Sequence, residues 1–296
     1  MAINTLEFAS KFSGELDKII VQKAVTGLFA DNVFRQKFVG AKTVIVPDID
    51  FVGLADYDRD IGYAKGKTTI AHTSFELSKD RGRQLQLDRE DLDETGIANL
   101  AGQVLGEFAR TQVVPEMDAY VLSKLAGVAN TQGNSHAESG TGKYFADFIT
   151  ATNGIYSKAG YDEELVAFVD NTFYTGLMNS EEFTKNVVVS DFKKGDISLK
   201  VKTINGVAII PVADSRMKTA FTFGDNGFTA DTGAKDIRLL VLPKKGASLV
   251  KKTETMRIFT PEQNKDADAY VFNYRLYYDV FVKKSNLGFI EAVVSA

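Results

Sequence analysis

The sequence predicts an α+β fold. Three stretches carry that reading: a two-stranded excursion over 42–87, a long helix over roughly 88–128, and an alternating aromatic run over 270–282. In the helical stretch Ile97, Leu100, Ala101, Val104, Leu105 and Phe108 fall on one stripe, the spacing of a helix with one buried face. The C-terminal run, Tyr270-Val-Phe-Asn-Tyr-Arg-Leu-Tyr-Tyr-Asp-Val-Phe-Val282, is β-prone and about twice the usual strand length.

In chain order, residues 1–41 form an N-terminal arm with Phe8, Phe12, Leu16, Ile19, Ile20, Val25, Leu28, Phe29, Val33 and Phe34. Part of it, between Ser13 and Leu28, has helical character. The arm packs on its own body or lies on a neighbouring subunit. The excursion over 42–87 runs out through Val44-Ile-Val46 and Ile49-Asp-Phe51, with Pro47 marking an edge or a bend. It returns through 69–77 and Gln84-Leu-Gln-Leu87. Its tip at 52–67 is glycine-rich and charged, which suits a solvated loop. A hairpin this long is not stable alone in water, so it must lie on something. The long helix follows. Asp88 to Glu94 are rich in carboxylates, which suit the positive end of a helix dipole, and Asp88 or Asp91 caps the first turn. Pro115 predicts a kink rather than a stop. At 1.5 Å per residue the helix spans about 50–60 Å.

The polar stretch 130–143 is a linker. Beyond it a helix is expected over 144–159, a buried strand over 165–169, and a short helix over 171–178 begun by Asp170. Asn205-Gly206 between 199–204 and 207–212 predicts a type I′ hairpin turn. Residues 221–236 read as a loop, 237–242 as a buried strand, and 286–294 as the strand closing the last sheet. No repeat of 20–50 residues is visible, which argues against a solenoid.

With 296 residues the chain is long enough for one large core or two smaller ones. A net charge of −4 predicts no nucleic-acid-gripping surface. The absence of cysteine removes disulfides, thiolate metal sites and thiol catalysis. No signal peptide and no membrane-length apolar run are read. Gly140-Thr-Gly-Lys143 is not a phosphate loop, because Ala137 stands where that motif has glycine and Tyr144 where it has Ser or Thr. Asp56-x-Asp58-x-Asp60 imitates a calcium loop, but Ile61 and Lys67 occupy its glycine and glutamate positions. Asp225 to Asp231 read as turns. His72 is structural, and His136 has only Glu138 beside it, too few ligands for zinc. No catalytic, cofactor or metal site is expected.

The order of these stretches carries a resemblance. The long hairpin ends in Asp80-Arg-Gly-Arg-Gln-Leu-Gln-Leu-Asp-Arg-Glu-Asp-Leu-Asp-Glu-Thr95 and the long helix comes next. Ile204-Asn-Gly-Val-Ala-Ile-Ile-Pro-Val-Ala-Asp-Ser-Arg-Met217 and Tyr274-Arg-Leu-Tyr-Tyr-Asp-Val-Phe-Val282 follow. The whole chain thus resembles the major capsid proteins of tailed bacteriophages, with the Hong Kong 97-type fold. The resemblance implies an N-terminal arm at 1–41 and an extended loop at 42–87 that reaches over a neighbour. It implies a peripheral domain with its spine helix at 88–139, an axial domain at 140–255, and C-terminal strands at 256–296 that return to the sheet.

The implied function is self-assembly, through hexamers and pentamers, into the icosahedral head shell around double-stranded DNA. The shell does not bind that DNA sequence-specifically. It is assembled in the host bacterial cytoplasm and resides in the virion, with a portal and no membrane. Because arm-like sequence begins at Met1, a separate scaffolding protein, or none, is expected. Lys65 and Lys67 have no partner asparagine that the sequence identifies for a covalent link. Asp56, Asp58, Arg59, Asp60, Lys65 and Lys67 are the expected intersubunit contacts. An encapsulin-type nanocompartment shell is the second reading and a soluble α+β enzyme the third.

Overall fold

The structure, a computed structural model, describes residues 24–30, 37–39, 42–60, 62–90, 100–182, 187–194 and 197–296. The expectations for 1–23, for Val33 and Phe34, for Ile97 and for Asp91 to Glu94 lie outside these residues.

The long helix runs as α1 (Leu100–Phe108), a π-helical turn (Ala109–Val113) and α2 (Val114–Thr131). Pro115 sits in the first turn of α2, where its missing N–H costs least. The wider π turn just upstream accommodates the proline, so the helix continues past it, as expected. Asp88 is the last residue of a strand, and Arg89 and Glu90 directly after it are helical; the Asp88 carboxylate accepts from the Glu90 N–H, as a first-turn cap does.

Among the described residues the strands form four sheets. The first contains β1 (Lys37–Val39), β2 (Thr43–Asp50) and β3 (Thr69–Glu76), in that order. β2 and β3 pair antiparallel from Thr43↔Glu76 to Asp50↔Thr69. Pro47 lies beyond the last described pairing with β1, Lys37↔Ile45. The excursion is shorter than the sequence suggests. β4 (Lys79–Asp88), read as part of the return run, leaves the hairpin and pairs with β14 (Ala269–Val282). The alternation of Gln84-Leu-Gln-Leu87 reports a strand but not its partner.

β14 is the middle of a sheet ordered β13-β14-β4, with β13 being Ala247–Phe259. The expected boundary at 255/256 falls inside β13, which pairs with β14 along its length. Alternation makes β14 serve two cores. Phe272, Tyr274, Leu276, Tyr278 and Val280 face the main core with α2, and Tyr277 and Phe281 face Val44, Val46 and Leu77 at the hairpin root.

The third sheet has seven strands in the order β5 (Ser135–Ala137), β15 (Glu291–Val294), β12 (Ile237–Pro243), β6 (Leu165–Val169), β9 (Val207–Pro211), β8 (Ile197–Ile204), β7 (Val187–Lys194). β6 is buried at every residue, as its continuous apolar run predicts. Its Val166 and Phe168 join the core under α2. Its Leu165, Ala167 and Val169 join a second core under α3 (Tyr144–Ala159) and α4 (Asn171–Met178). Helices therefore cover both faces of this sheet. Asp170 caps α4 by accepting from the Phe173 N–H at 2.7 Å. Asn205 and Gly206 both have positive φ, as a type I′ turn requires.

Two segments differ from expectation. Residues 221–236 include a hairpin, β10 (Phe221–Gly224) with β11 (Gly227–Ala230), whose four-residue strands are too short to show a period. Residues 284–289 form a 3-10 turn, so the closing strand begins only at Glu291.

Phe108 faces β14 as expected, its ring 6.0 Å from that of Tyr274. It is only partly buried. Phe108→Ala is therefore expected to cost about 1–3 kcal/mol, below the usual range for a fully buried phenylalanine, and a denaturant titration showing no loss would refute the contact's contribution.

Candidate functional site

The hairpin divides into a clamped root and an exposed tip. At the root, Asp279 of β14 is fully buried. It accepts from the Ser78 N–H at 3.0 Å and the Ser78 hydroxyl at 2.9 Å, from Tyr120 at 2.7 Å and from Lys124 at 2.5 Å. Ser78 is the hinge residue between β3 and β4. Tyr120 and Lys124 stand one turn apart on α2, which places both on one face of the helix. Burial pushes the Tyr120 hydroxyl above its ordinary pKa. Lys79 Nζ lies 3.7 Å from the centre of the Phe223 ring, and burial, followed by the Arg81 charge, lowers its pKa. The root is thus fixed to the helix, to β14 and to the β10–β11 hairpin together.

A second buried carboxylate, Asp118 on α2, fixes the start of the described N-terminal segment. It accepts from the Val25 and Thr26 N–H groups, from the Thr26 hydroxyl at 2.6 Å and from Arg216 at 3.0 Å.

The tip is different. Asp56, Asp58, Arg59, Asp60, Lys65 and Lys67 are all exposed there. Asp58 bridges to Gly62 and its carboxylate accepts from the Asp60 N–H at 2.7 Å, so the Asp58 carboxylate shapes a turn. Among the described residues Arg59, Lys65 and Lys67 join no ion pair within the subunit. Sequence reasoning described this tip as polar and missed its apolar members. Phe51, Val52, Leu54, Tyr57, Tyr63 and Ile70 are all exposed, Leu54 completely, and Tyr57 and Tyr63 stack edge-on at 4.9 Å. The signal was available: Phe51-Val-Gly-Leu54 is an apolar run with no strand pairing to bury it. Contiguous exposed apolar groups mark a surface that another molecule covers.

The remaining candidates stay apart. His72 is exposed on β3 opposite Pro47. His136 has a second carboxylate that its neighbours in sequence did not reveal, Glu291 at 3.4 Å. Gly140 and Gly142 adopt positive φ before α3, and the short strand β5 precedes them, a strand the sequence did not signal; the mismatches at Ala137 and Tyr144 still stand. Among the described residues no group of three or more His, Asp or Glu converges as a metal site, and no helix is long and apolar enough to cross a membrane. Thermal melts with and without a chelator are expected to superimpose; a drop of many degrees on adding chelator would overturn the reading that Asp56, Asp58 and Asp60 hold no metal.

No family model matches the sequence, and no curated protein matches it either. Solved structures do. The capsid of the cyanophage P-SCSP1u superposes with a TM-score of 0.59 at 13% identity, over 88% of this chain and 85% of that one. The mature capsid of bacteriophage PhiM1 gives 0.57 at 15%, over 86% and 82%. A virus-like particle from Pyrococcus furiosus gives 0.56 at 10%, over 98% and 100%. The similarity covers nearly the whole length on both sides, and the chain has the fold of phage capsid shell proteins.

Proposed function

We propose that the protein is a major capsid protein that self-assembles, through hexamers and pentamers, into the icosahedral shell enclosing phage double-stranded DNA. The observation that carries this reading is the near-complete fold match to capsid subunits together with a long hairpin whose apolar tip no described residue of its own subunit covers. Residues 43–76 form the extended loop, the helix at 100–131 is the spine of a peripheral domain with β13, β14 and β4, and the seven-stranded sheet with α3 and α4 is the axial domain. The six charged tip residues and their apolar neighbours touch the adjacent subunit. A portal, with or without a separate scaffolding protein, is the implied partner set, and the shell, assembled in the host cytoplasm, becomes the virion capsid. Each contact is small, and repetition around a closed shell sums them.

Electron microscopy of the purified protein tests the reading: closed shells or capsomer rings are expected, and dispersed monomers at every concentration and salt would overturn it. A second reading, a shell that encloses protein cargo, is favoured by the match to the whole chain of the virus-like particle. Particles from infected cells holding nuclease-protected DNA support the first reading; particles holding only co-purifying protein support the second.

A further inference from the structure

Asp118 on α2 is fully buried and collects donors from two segments far apart in sequence. The N-terminal segment gives the Val25 N–H at 3.1 Å, the Thr26 N–H at 2.9 Å and the Thr26 hydroxyl at 2.6 Å. The other donor is the Arg216 guanidinium at 3.0 Å. Arg216 ends a single 3-10 turn, Asp214–Arg216, which the Arg216 and Met217 N–H groups close on the Ala213 and Asp214 carbonyls. At the start of that turn, Asp214 accepts from the Asn171 N–H at 2.8 Å. Asn171 opens α4, beside the Asp170 cap. As the first N–H of a helix it has no intrahelical partner, so its exchange with water reports the Asp214 contact. The turn is tied at both ends. The Val212 N–H donates to the Val169 carbonyl of β6 at 2.8 Å, and the Ile237 N–H of β12 donates to the Met217 carbonyl at 2.9 Å. The Met217 side chain lies in the main core.

We infer that residues 212–217 are a strap that couples the hold on the N-terminal segment to the start of α4. The strap acts within one subunit and does not depend on the shell function. Its coupling follows from charge and from the lack of slack. With Val25 and Thr26 in place, the Asp118 carboxylate is fully paired and Arg216 is fixed against it. Without them a wholly buried charge keeps one partner, and an under-paired buried charge is costly. The Arg216 side chain is 23% exposed, so the pair relaxes by moving together toward water. Arg216 and Asp214 belong to one closed turn whose ends are held, so a shift of Arg216 draws the Asp214 carboxylate away from the Asn171 N–H. The turn, closed or released, is the two-state element that both sites bias. The reverse holds by linkage: loosening the start of α4 weakens the hold on Thr26 by the same factor. A change at the N-terminal segment thereby reaches the helix over the second core without any contact between the two.

Hydrogen exchange read residue by residue, on the full chain below its assembly threshold, tests the strap. Thr26→Val keeps the shape of the side chain and removes its hydroxyl donor. It is expected to speed exchange of the backbone N–H at position 26 by about tenfold, the loss of one hydrogen bond to a charged group. Exchange of the Asn171 N–H is expected to rise by at least about fivefold, the lower end of couplings between sites. Asp214→Ala is expected to speed exchange at Val25 and Thr26 in return. Arg216→Gln cuts the strap, and in that background Thr26→Val is expected to leave Asn171 unchanged. Amides of β13 and β14 are expected to keep the parent's rates throughout. An Asn171 N–H that ignores Thr26→Val, a rise of equal size in β13 and β14, or an Asn171 response that survives Arg216→Gln would each overturn the strap. The unaltered protein supplies a second measurement. Across low urea concentrations the Thr26 and Asn171 N–H groups are expected to share one opening free energy and one denaturant slope, as members of one cooperative unit do. Two separate isotherms would overturn the strap even if no variant folds.

Discussion

Asp279→Ala is expected to destabilise the subunit by about 3–5 kcal/mol, the range for removing one partner of a buried charged network. The carboxylate has no exposure and four donors from two other segments converge on it. Truncation removes the acceptor of the buried Tyr120 hydroxyl and of the Ser78 N–H, leaving the Tyr120 and Ser78 hydroxyls only their bond to each other at 2.8 Å. Lys124 is about one-third exposed and turns to solvent, which moves the cost toward the lower end. Asp279→Asn keeps an acceptor for Tyr120 and is expected to lose about half as much. Urea titrations of the two variants and the unaltered subunit measure both. If Asp279→Ala unfolds at the same midpoint as the parent, the node is not what fixes the hairpin root, and the root is held by Val44, Val46, Leu77 and Phe281 alone.

That node also shows where the sequence stops being readable. Ser78 and Asp279 are 201 positions apart, and no local pattern joins them. Elements with a local cause were legible: α4 from its Asp170 cap, the Asn205-Gly206 turn from its need for positive φ, β6 from its unbroken apolar run. The hairpin at 43–76 was legible as a hairpin, but the transfer of β4 to the C-terminal sheet was not. Alternation reports that a strand has one buried face, not which strand covers it. β10 and β11 were invisible because four residues give too few repeats of any period. At the tip the charges drew attention because Asp-x-Asp-x-Asp resembles a ligand set. The apolar side chains beside them read as ordinary until the structure left them uncovered.

The largest effect on assembly is expected at the tip, and it separates two forces. Phe51→Ser, Leu54→Ser and Tyr57→Ser combined remove three exposed apolar side chains. Fully burying one such side chain is worth about 1.5–3 kcal/mol, so losing three removes several kcal/mol from each repeated contact, more than a thousandfold in its equilibrium constant. Arg59→Glu, Lys65→Glu and Lys67→Glu combined act on charges that are exposed, where an ion pair contributes about 0–1 kcal/mol. The apolar variant is expected to stay dispersed at all salt concentrations. The charge variant is expected to raise the concentration needed for assembly and to approach the parent as salt screens the reversed charges. Both should keep the parent's circular dichroism and melting midpoint, since none of the six side chains packs in its own subunit's core. Sedimentation velocity across a salt series reads the outcome. Shells from the apolar variant at the parent's threshold would mean that the tip is a passive loop. A charge variant that fails at every salt, beside an apolar variant that assembles, would mean that the contact is electrostatic and that Leu54 has no seat in a neighbour.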